Sequence, residues 1–115
     1  MTGTRPLEIL PGTLELLVMK ALSGRDAMHG FDILRWLEAA TDEELVVEEG
    51  SLYPALHRME RRGWLEPEWG ISDRGRRAKY YRLTGPGRRE VARQESAWLR
   101  YVAVVDRVIA AGAST

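Results

Sequence analysis

The side chains best suited to binding chemistry lie between residues 50 and 64, where the spacing of apolar residues predicts a helix. Ser51 would cap this helix, Pro54 would lie in its first turn, and Gly63 would end it. At about 100° per residue, a polar side falls opposite the apolar residues. This polar side comprises Pro54, His57, Arg58 and Arg61, with Tyr53 on one flank and Ser51 with Arg62 on the other. Because hydroxyl, imidazole and guanidinium groups bind phosphates and base edges, we interpret the segment as a DNA-reading helix.

Few residues offer enzymatic or metal chemistry. The sequence has no cysteine and only two histidines, His29 and His57, which argues against disulfides and a zinc site. The carboxylates of Glu48 and Glu49 have no nucleophile, base or metal cluster beside them, so a solvated turn explains them better than acid–base catalysis. His29 fits a hydrogen-bonded turn residue better than a ligand. We therefore expect no enzymatic activity, no cofactor and no metal.

Charge is distributed unevenly along the chain. The formal net charge is zero, but residues 1–56 carry −6 and residues 57–93 carry +6. The positive block begins on the predicted reading helix, and nearly all its cations are arginine, whose planar fork binds phosphates and guanine edges. The sequence has no signal-peptide pattern and no apolar run of about 18 residues, so we expect a cytoplasmic protein without a membrane span.

A β-hairpin is predicted directly after the reading helix. Residues 64–69 have the pattern of an edge strand, since Pro67 cannot donate to a ladder, and residues 77–83 alternate as a returning strand. A second helix is predicted before the reading helix from the spacing of Phe31, Ile33, Leu34 and Leu37, and the two helices flank a long turn as a helix-turn-helix. A hairpin after a helix-turn-helix is a wing, and a basic tip suits contacts with backbone phosphates. The cations near the tip are Arg74, Arg76, Arg77 and Lys79. A charged loop that keeps the protein soluble is the competing interpretation.

The last element is predicted to be a long helix over residues 86–111. It would span about 39 Å at about 1.5 Å per residue, more than the core of a single small domain can cover. Its apolar residues Val91, Trp98, Val102, Val105 and Ile109 have the spacing of helices that pack lengthwise. The first helix, over residues 13–22, is apolar on most sides and includes Leu14 and Leu17. We therefore predict a homodimer in which the last helix packs against the first and last helices of its partner.

Several motifs together resemble one family of regulators. They are Gly-Thr-Leu-Glu-Leu-Leu at 12–17, Met-His-Gly-Phe at 28–31, Glu-Gly-Ser-Leu-Tyr-Pro-Ala-Leu at 49–56, Arg-Arg-Gly-Trp at 61–64 and Lys-Tyr-Tyr-Arg-Leu-Thr at 79–84. With these motifs in order from about Leu10 to Val91, the chain resembles the PadR-like transcriptional regulators. The resemblance implies a mainly α fold with a small β-hairpin: a winged helix-turn-helix followed by a long C-terminal dimerisation helix. It also implies a homodimeric repressor that binds a palindromic operator and in some members releases it on meeting a small molecule.

The resemblance also implies roles for single residues and a division of the chain. Tyr53 would meet the DNA backbone, and Lys79 with Tyr81 would belong to the wing. The wing tip departs from a commoner form with proline between arginines, because Arg76 and Arg77 are adjacent here. We expect a flexible arm at 1–10, a DNA-binding domain at 11–84, a dimerisation helix at 85–111 and a tail at 112–115.

Two questions stay open on the sequence alone. Trp98 and Tyr101, with their mates in a two-fold dimer, could line a cleft for a planar apolar or cationic effector, or Trp98 could simply pack between helices. The arginines of the reading helix and wing could instead meet an acidic protein surface. The protein would then be a winged-helix interaction module without specific DNA binding.

Overall fold

In the computed structural model, which describes residues 7–24 and 27–113, four helices and three strands form the fold. The helices are α1 (Leu14–Ser23), α2 (Gly30–Ala40), α3 (Glu49–Arg61) and α4 (Gly85–Ala113). The strands are β1 (Met28–His29), β2 (Leu65–Ile71) and β3 (Arg77–Leu83). The predicted mainly α fold, with a small hairpin and a long last helix, is confirmed.

One apolar core joins α1, α2, α3 and the base of the sheet. The inward side of α3 is fully buried at Leu52, Leu56 and Met59, as predicted. From the two preceding helices the core takes Val18, Met19, Ala21, Leu22, Ile33, Leu34 and Leu37. Burial of one side of α3 against these residues fixes which side of the helix faces solvent.

The beginning of α3 differs from the prediction. The helix starts two residues before Ser51, and the N-cap position belongs to Glu48, whose backbone is extended (φ −86, ψ 150). The carbonyl of Glu48 accepts hydrogen bonds from the N–H groups of Ser51 and Leu52, both at 3.0 Å. Ser51 is therefore inside the first turn rather than the cap, and Pro54 lies within the helix. The missing N–H of Pro54 leaves the carbonyl four residues earlier, at Gly50, without its usual helical donor.

A short strand that was not predicted leads into α2. β1 pairs antiparallel with β3, with Met28 opposite Tyr81 and His29 opposite Tyr80. His29 also caps α2, because its Nδ1 accepts a hydrogen bond from the N–H of Asp32 at 3.2 Å. His29 is hydrogen-bonded, as predicted, but it lies in strand β1 and at the N-cap of α2 rather than in a turn.

The sheet has the order β1-β3-β2, so β2 is an edge strand, as Pro67 predicted. The antiparallel hairpin runs from Leu65 opposite Leu83 at its base to Ile71 opposite Arg77 near its tip. The base is buried and the tip projects into solvent.

The start of α4 is bonded to the end of α3. Thr84 caps α4, since its Oγ1 accepts a hydrogen bond from the N–H of Gly87 at 3.0 Å. The same hydroxyl donates to the carbonyl of Gly63 at 2.6 Å, and the N–H of Thr84 donates to the carbonyl of Trp64 at 3.0 Å. A Cβ on Gly87 would collide with that Trp64 carbonyl. These contacts form one rigid junction, which we call the α3–α4 junction.

α4 is the longest element. Its 29 residues span about 43 Å at about 1.5 Å per residue, and the molecule measures 59 × 38 × 22 Å. The buried residues of α4 are Gly87 and Val91, both near its start. The helix reaches Ala113, past its predicted end at Ala111, and residues 114–115 lie outside the described residues.

Leu7, at the start of the described residues, pairs with the segment between α2 and α3, whereas a flexible arm was expected. The N–H of Leu7 donates to the carbonyl of Glu44 at 2.8 Å, and Leu7 forms a parallel β-bridge with Leu45. Ile9 packs against the core. Leu7 and Leu10 nevertheless remain exposed. The flexible arm at 1–10 stays a prediction, and residues 1–6 lie outside the described residues.

We predict that Gly87→Ala lowers the free energy of unfolding by about 1–3 kcal/mol, because the added methyl group forces α4 away from the Trp64 carbonyl. Urea denaturation at a fixed protomer concentration measures this change. Gly50→Ala is the matched control, since a Cβ there meets nothing within 4 Å. Equal stability of the two variants would contradict a close contact at the α3–α4 junction.

Candidate nucleic-acid interface

The outward side of α3 is centred on Pro54, His57 and Arg61. All three are exposed and lie opposite the buried side of the helix. Among the described residues, no acidic side chain forms an ion pair with His57 or Arg61. The predicted polar side of α3 therefore includes an imidazole and a guanidinium group free to meet a ligand.

Tyr53 lies on the flank of α3 that faces α2. Its phenol packs on Gly30, the first residue of α2, where a Cβ would lie 2.6 Å from the phenol oxygen. The side chain is 39% exposed. Partial burial, the charge of Glu49 and the neighbouring Tyr81 raise the pKa of Tyr53. The hydroxyl therefore stays protonated at neutral pH and can donate to a phosphate near the N-terminus of α2.

The opposite flank of α3 is paired with α1. Arg58 Nε lies 3.4 Å from Glu15 Oε2, and Arg62 Nη1 lies 3.3 Å from Glu15 Oε1. Both guanidinium groups remain partly exposed, so these pairs are weak surface interactions. Arg58, a predicted DNA contact, is thus directed toward α1, and the exposed Ser51 lies on the same flank.

The wing tip is a closed turn with two free cations. The N–H of Ser72 donates to the carbonyl of Arg76 at 2.7 Å, and the N–H of Gly75 donates to the carbonyl of Ser72 at 2.8 Å. Gly75 has a φ of +75, a conformation that glycine adopts without strain. Arg74 and Arg76 are exposed at this turn, and neither forms an ion pair within the part of the chain that the structure describes.

The two faces of the hairpin carry opposite charge. Side chains alternate between faces along each strand, and paired residues share a face. One face carries Leu65, Pro67, Trp69, Ile71, Arg77, Lys79, Tyr81 and Leu83, and the other carries Glu66, Glu68, Gly70, Ala78, Tyr80 and Arg82. The first face has two cations and no acid, and we call it the cationic face of the wing. The glutamates of the hairpin lie on the other face, where Glu68 pairs with Arg82 at 2.9 Å.

Lys79 joins the cationic face to α3. Its Nζ lies 3.2 Å from Glu60 Oε1, although their alignment does not make a good hydrogen bond. Partial burial opposes the charge of Lys79, but pairing with Glu60 and the neighbouring Tyr81 outweighs it, so the pKa of Lys79 is raised. The lysine is therefore charged at neutral pH and partly neutralised by its own protein.

Tyr81 lies in the core, whereas it was expected on the surface of the wing. Its side chain is 2% exposed and is among the largest fully buried groups. The prediction of a DNA contact at Tyr81 is wrong for this conformation, because β3 turns the phenol inward at the base of the sheet. The hydroxyl cannot reach a ligand at the surface.

The apolar residues predicted for dimerisation divide into two groups. Val91 is 7% exposed within its own chain, so its role is to dock α4 on the core, and its assignment to the dimer surface is wrong. Leu14 and Leu17 of α1 are partly buried against the same core. Further along α4, Trp98, Val102 and Val105 are partly exposed and Ile109 is 64% exposed. These four residues form an uncovered apolar stripe, which we call the α4 stripe.

Trp98 and Tyr101 border an open groove between α1 and α4. Their ring centroids are 6.5 Å apart, and the groove of about 510 Å³ also includes Leu16 and Arg93. A second cavity of about 380 Å³, lined by Leu7 and other apolar residues, shares Trp98. The two predicted ligand residues are therefore neighbours.

Residues 7–24 and 27–113 lack both a metal-binding cluster and a membrane-spanning helix. No group of three or more His, Asp or Glu side chains there could hold a metal ion. No helix in the same residues is long and apolar enough to cross a membrane.

The family to which the chain belongs follows from a family model. The model of the "Transcriptional regulator PadR-like family" matches residues 18–93, which contain α2, α3, the hairpin and the beginning of α4. This chain is a PadR-like transcriptional regulator. The expected resemblance is confirmed, and with it the class of function, transcription regulation by a DNA-binding winged helix.

Solved structures support the assignment. A PadR-like transcription factor from Bacteroides fragilis is 34% identical over 84% of this chain and 90% of that chain, with a TM-score of 0.69. A PadR family transcriptional regulator from Eggerthella lenta is 30% identical over 85% of this chain and 82% of that chain, with a TM-score of 0.71. A transcriptional regulator from Clostridium thermocellum is 25% identical over 84% of this chain and 92% of that chain, with a TM-score of 0.76. An uncharacterised protein from Lysinibacillus sphaericus is 26% identical over 100 residues, which are 86% of this chain and 90% of the relative.

Sequence reasoning missed four residues that shape this PadR-like surface. Glu15 and Glu60 pair with its cations, Gly30 makes room for Tyr53, and Trp69 lies beneath Arg77. Strand alternation could have placed Trp69 on the cationic face. The two glutamates could not be found in this way, because their partners come from other elements.

We predict that Arg61→Ala weakens DNA binding and reduces the dependence of log K on log salt concentration by about 0.9 units, the loss of one phosphate contact. Arg58→Ala should change this slope less, because Glu15 already compensates its charge. Fluorescence anisotropy titrations at several salt concentrations measure both slopes. A larger effect of Arg58→Ala would instead put the bound DNA on the α1 flank.

Proposed function

We propose that this protein represses transcription by binding a palindromic operator as a homodimer, with α3 of each protomer in the major groove and the wing on the adjacent backbone. One observation carries the proposal: the outward side of α3 and the cationic face of the wing adjoin, linked by Lys79 and Glu60 at 3.2 Å. The arrangement matches winged helices, in which one helix reads base edges and a hairpin contacts phosphates.

The proposed DNA contacts fall into two classes. Pro54 and His57 at the centre of α3 would meet base edges, and Arg61 beside them would bind a backbone phosphate. Phosphates would be bound by the hydroxyl of Tyr53 and by Arg74, Arg76 and Arg77 of the wing, with Ser51 and Arg58 at the margin. Lys79 would contribute less than its charge suggests, since Glu60 shares it.

The same contacts support the predicted division of the chain. Residues 11–84 would form the DNA-binding domain, and α4 the dimerisation helix. In this role the protein acts on the chromosome in the cytoplasm, without catalysis, cofactor or metal.

The homodimer is supported by unpartnered apolar surface. Large apolar side chains on the second half of α4 contribute: Leu99, Tyr101, Val108 and Ile109 are 59–66% exposed. The α4 stripe continues the side of the helix that buries Val91, so α4 leaves its own core with the same side still apolar. Two such helices can cover one another about a two-fold axis.

The operator itself tests the proposal. DNA fragments selected by the purified protein should contain two symmetric half-sites about 34 Å apart, and deleting the gene should raise transcription beside them. Val105→Asp should give a monomer by light scattering and weaken operator binding about 100-fold, because two half-sites are then no longer held together. Ala103→Asp adds the same charge to an exposed position away from the α4 stripe and should leave both properties unchanged. Selection of single asymmetric sites, or a dimeric Val105→Asp variant, would contradict the proposal.

A small apolar effector is a further part of the proposal. The groove beside Trp98 and Tyr101 offers aromatic walls that accept planar apolar or cationic molecules. In the proposed dimer this groove lies near the helices that set the spacing of the two α3 helices. A ligand would change operator affinity if it preferred one spacing over another.

Tryptophan fluorescence tests the effector. Planar dyes and aromatic drugs should quench wild-type emission, and the quenching should be lost in Trp98→Phe while Trp36, Trp64 and Trp69 remain. The same compounds should lower operator affinity. Quenching that survives in Trp98→Phe, or that leaves operator affinity unchanged, would refute the effector while leaving DNA binding intact.

A further inference from the structure

The far end of the cationic face carries an exposed apolar pair. Trp69 is 57% exposed and Ile71 is 69% exposed, although the base of the same face is buried at Leu65 and Leu83. Both lie on the edge strand β2, beyond the part of the hairpin that packs on the core. Together they form an exposed apolar patch bordered by charged residues, the kind of surface that marks interaction sites.

Arg77 is stacked on Trp69, the aromatic member of this pair. Its guanidinium carbon lies 4.3 Å from the centroid of the Trp69 ring, the shortest of the cation–ring contacts in the described residues. In the register of the hairpin, Arg77 is opposite Ile71 and diagonal to Trp69, so the guanidinium reaches across strands to the indole. Stacking restricts a side chain that would otherwise be freely mobile, and it leaves the N–H groups in the guanidinium plane available.

The charge around the pair selects an anionic partner. The cationic face has no acidic residue, and the hairpin glutamates Glu66 and Glu68 lie on the other face. Arg77 forms no ion pair with any described residue, in contrast to Lys79, which is paired with Glu60. The exposed end of the face therefore combines a held, uncompensated guanidinium with apolar surface. The backbone of DNA has the matching chemistry, since it alternates phosphates with apolar deoxyribose faces.

We propose that Trp69 is a positioning residue for DNA binding: its indole holds the Arg77 guanidinium toward a backbone phosphate and packs its own exposed edge on the adjacent deoxyribose. This inference rests on the proposed function. In this proposal Trp69 and Arg77 contact the DNA as one stacked unit, whereas Arg74 and Arg76 at the tip act as separate charges. Loss of either member then removes most of the contribution of both.

A double-mutant cycle with the full-length protein tests whether Trp69 and Arg77 act as one unit. Operator affinity is measured by anisotropy for wild type, Trp69→Ala, Arg77→Ala and the double variant. Each single variant should bind about five- to tenfold more weakly, and the double variant no more than about twofold more weakly than either. Trp69→Phe should restore most of the affinity because a ring remains. Arg77→Lys should bind more weakly than wild type despite its retained charge, because an ammonium group stacks less well and lacks the planar fork.

Arg76 supplies the matched control. It is an adjacent exposed arginine with no ring beneath it, so Arg76→Ala and Trp69→Ala should be additive. Thermal unfolding of every variant should match wild type, because the pair lies outside the core. If a variant were to unfold, the Trp69→Phe and Arg77→Lys comparisons, which keep ring and charge, still decide the question.

The outcomes separate this inference from the proposed function. Wild-type protein that binds no sequence specifically would overturn the proposed function and the inference together. Specific binding by wild type that is unaffected by Trp69→Ala, or additive effects of Trp69→Ala and Arg77→Ala, would overturn the inference alone.

Discussion

The direction of the last helix relative to the reading helix depends on the α3–α4 junction. Gly63 ends α3 with a φ of +79, and Thr84 bonds to the carbonyls of Gly63 and Trp64 while capping α4. Gly87 approaches Trp64 so closely that a side chain does not fit. Because α4 is one continuous helix of 29 residues, its direction at the junction would determine where a partner's α3 lies. The junction thus connects the proposed dimer geometry to the spacing of operator half-sites.

Ion pairs within the protomer select which cations remain for a ligand. Glu15 takes Arg58 and Arg62, and Glu60 takes Lys79. The raised pKa of Lys79 means that the folded state holds its proton more tightly than the unfolded chain does. The associated stability is present below the ordinary lysine pKa of about 10.4 and is lost only as pH rises beyond it, so the pair persists at neutral pH. The wing is thereby tied to α3, while the outer cations of the tip stay unpaired among the described residues.

The sequence predicted the helices, the strands and their buried sides better than it predicted which side chains contact one another. Periodicity identified the buried side of α3, and Pro67 identified the edge strand, because both signals are local. The prediction of Ser51 as the N-cap of α3 was wrong. The extended residue Glu48 occupies that position and supplies the first carbonyl of the helix without a capping side chain. Tyr81 and Val91 were misplaced because alternation and helical spacing do not tell where the core of the protomer ends. The stacking of Arg77 on Trp69 depends on strand register, which the sequence did not define.

The distance between the two α3 helices of the proposed dimer is the most direct test of the geometry set by the α3–α4 junction. Because the chain has no cysteine, His57→Cys on the exposed side of α3 gives one spin label per protomer, and double electron–electron resonance then measures the label separation in solution. A dimer that sets its reading helices one DNA turn apart should give a single narrow distribution near 34 Å, after allowance for the label linker. Absence of a dipolar signal, or a broad distribution far from one DNA turn, would contradict a dimer whose reading helices are set by the α3–α4 junction.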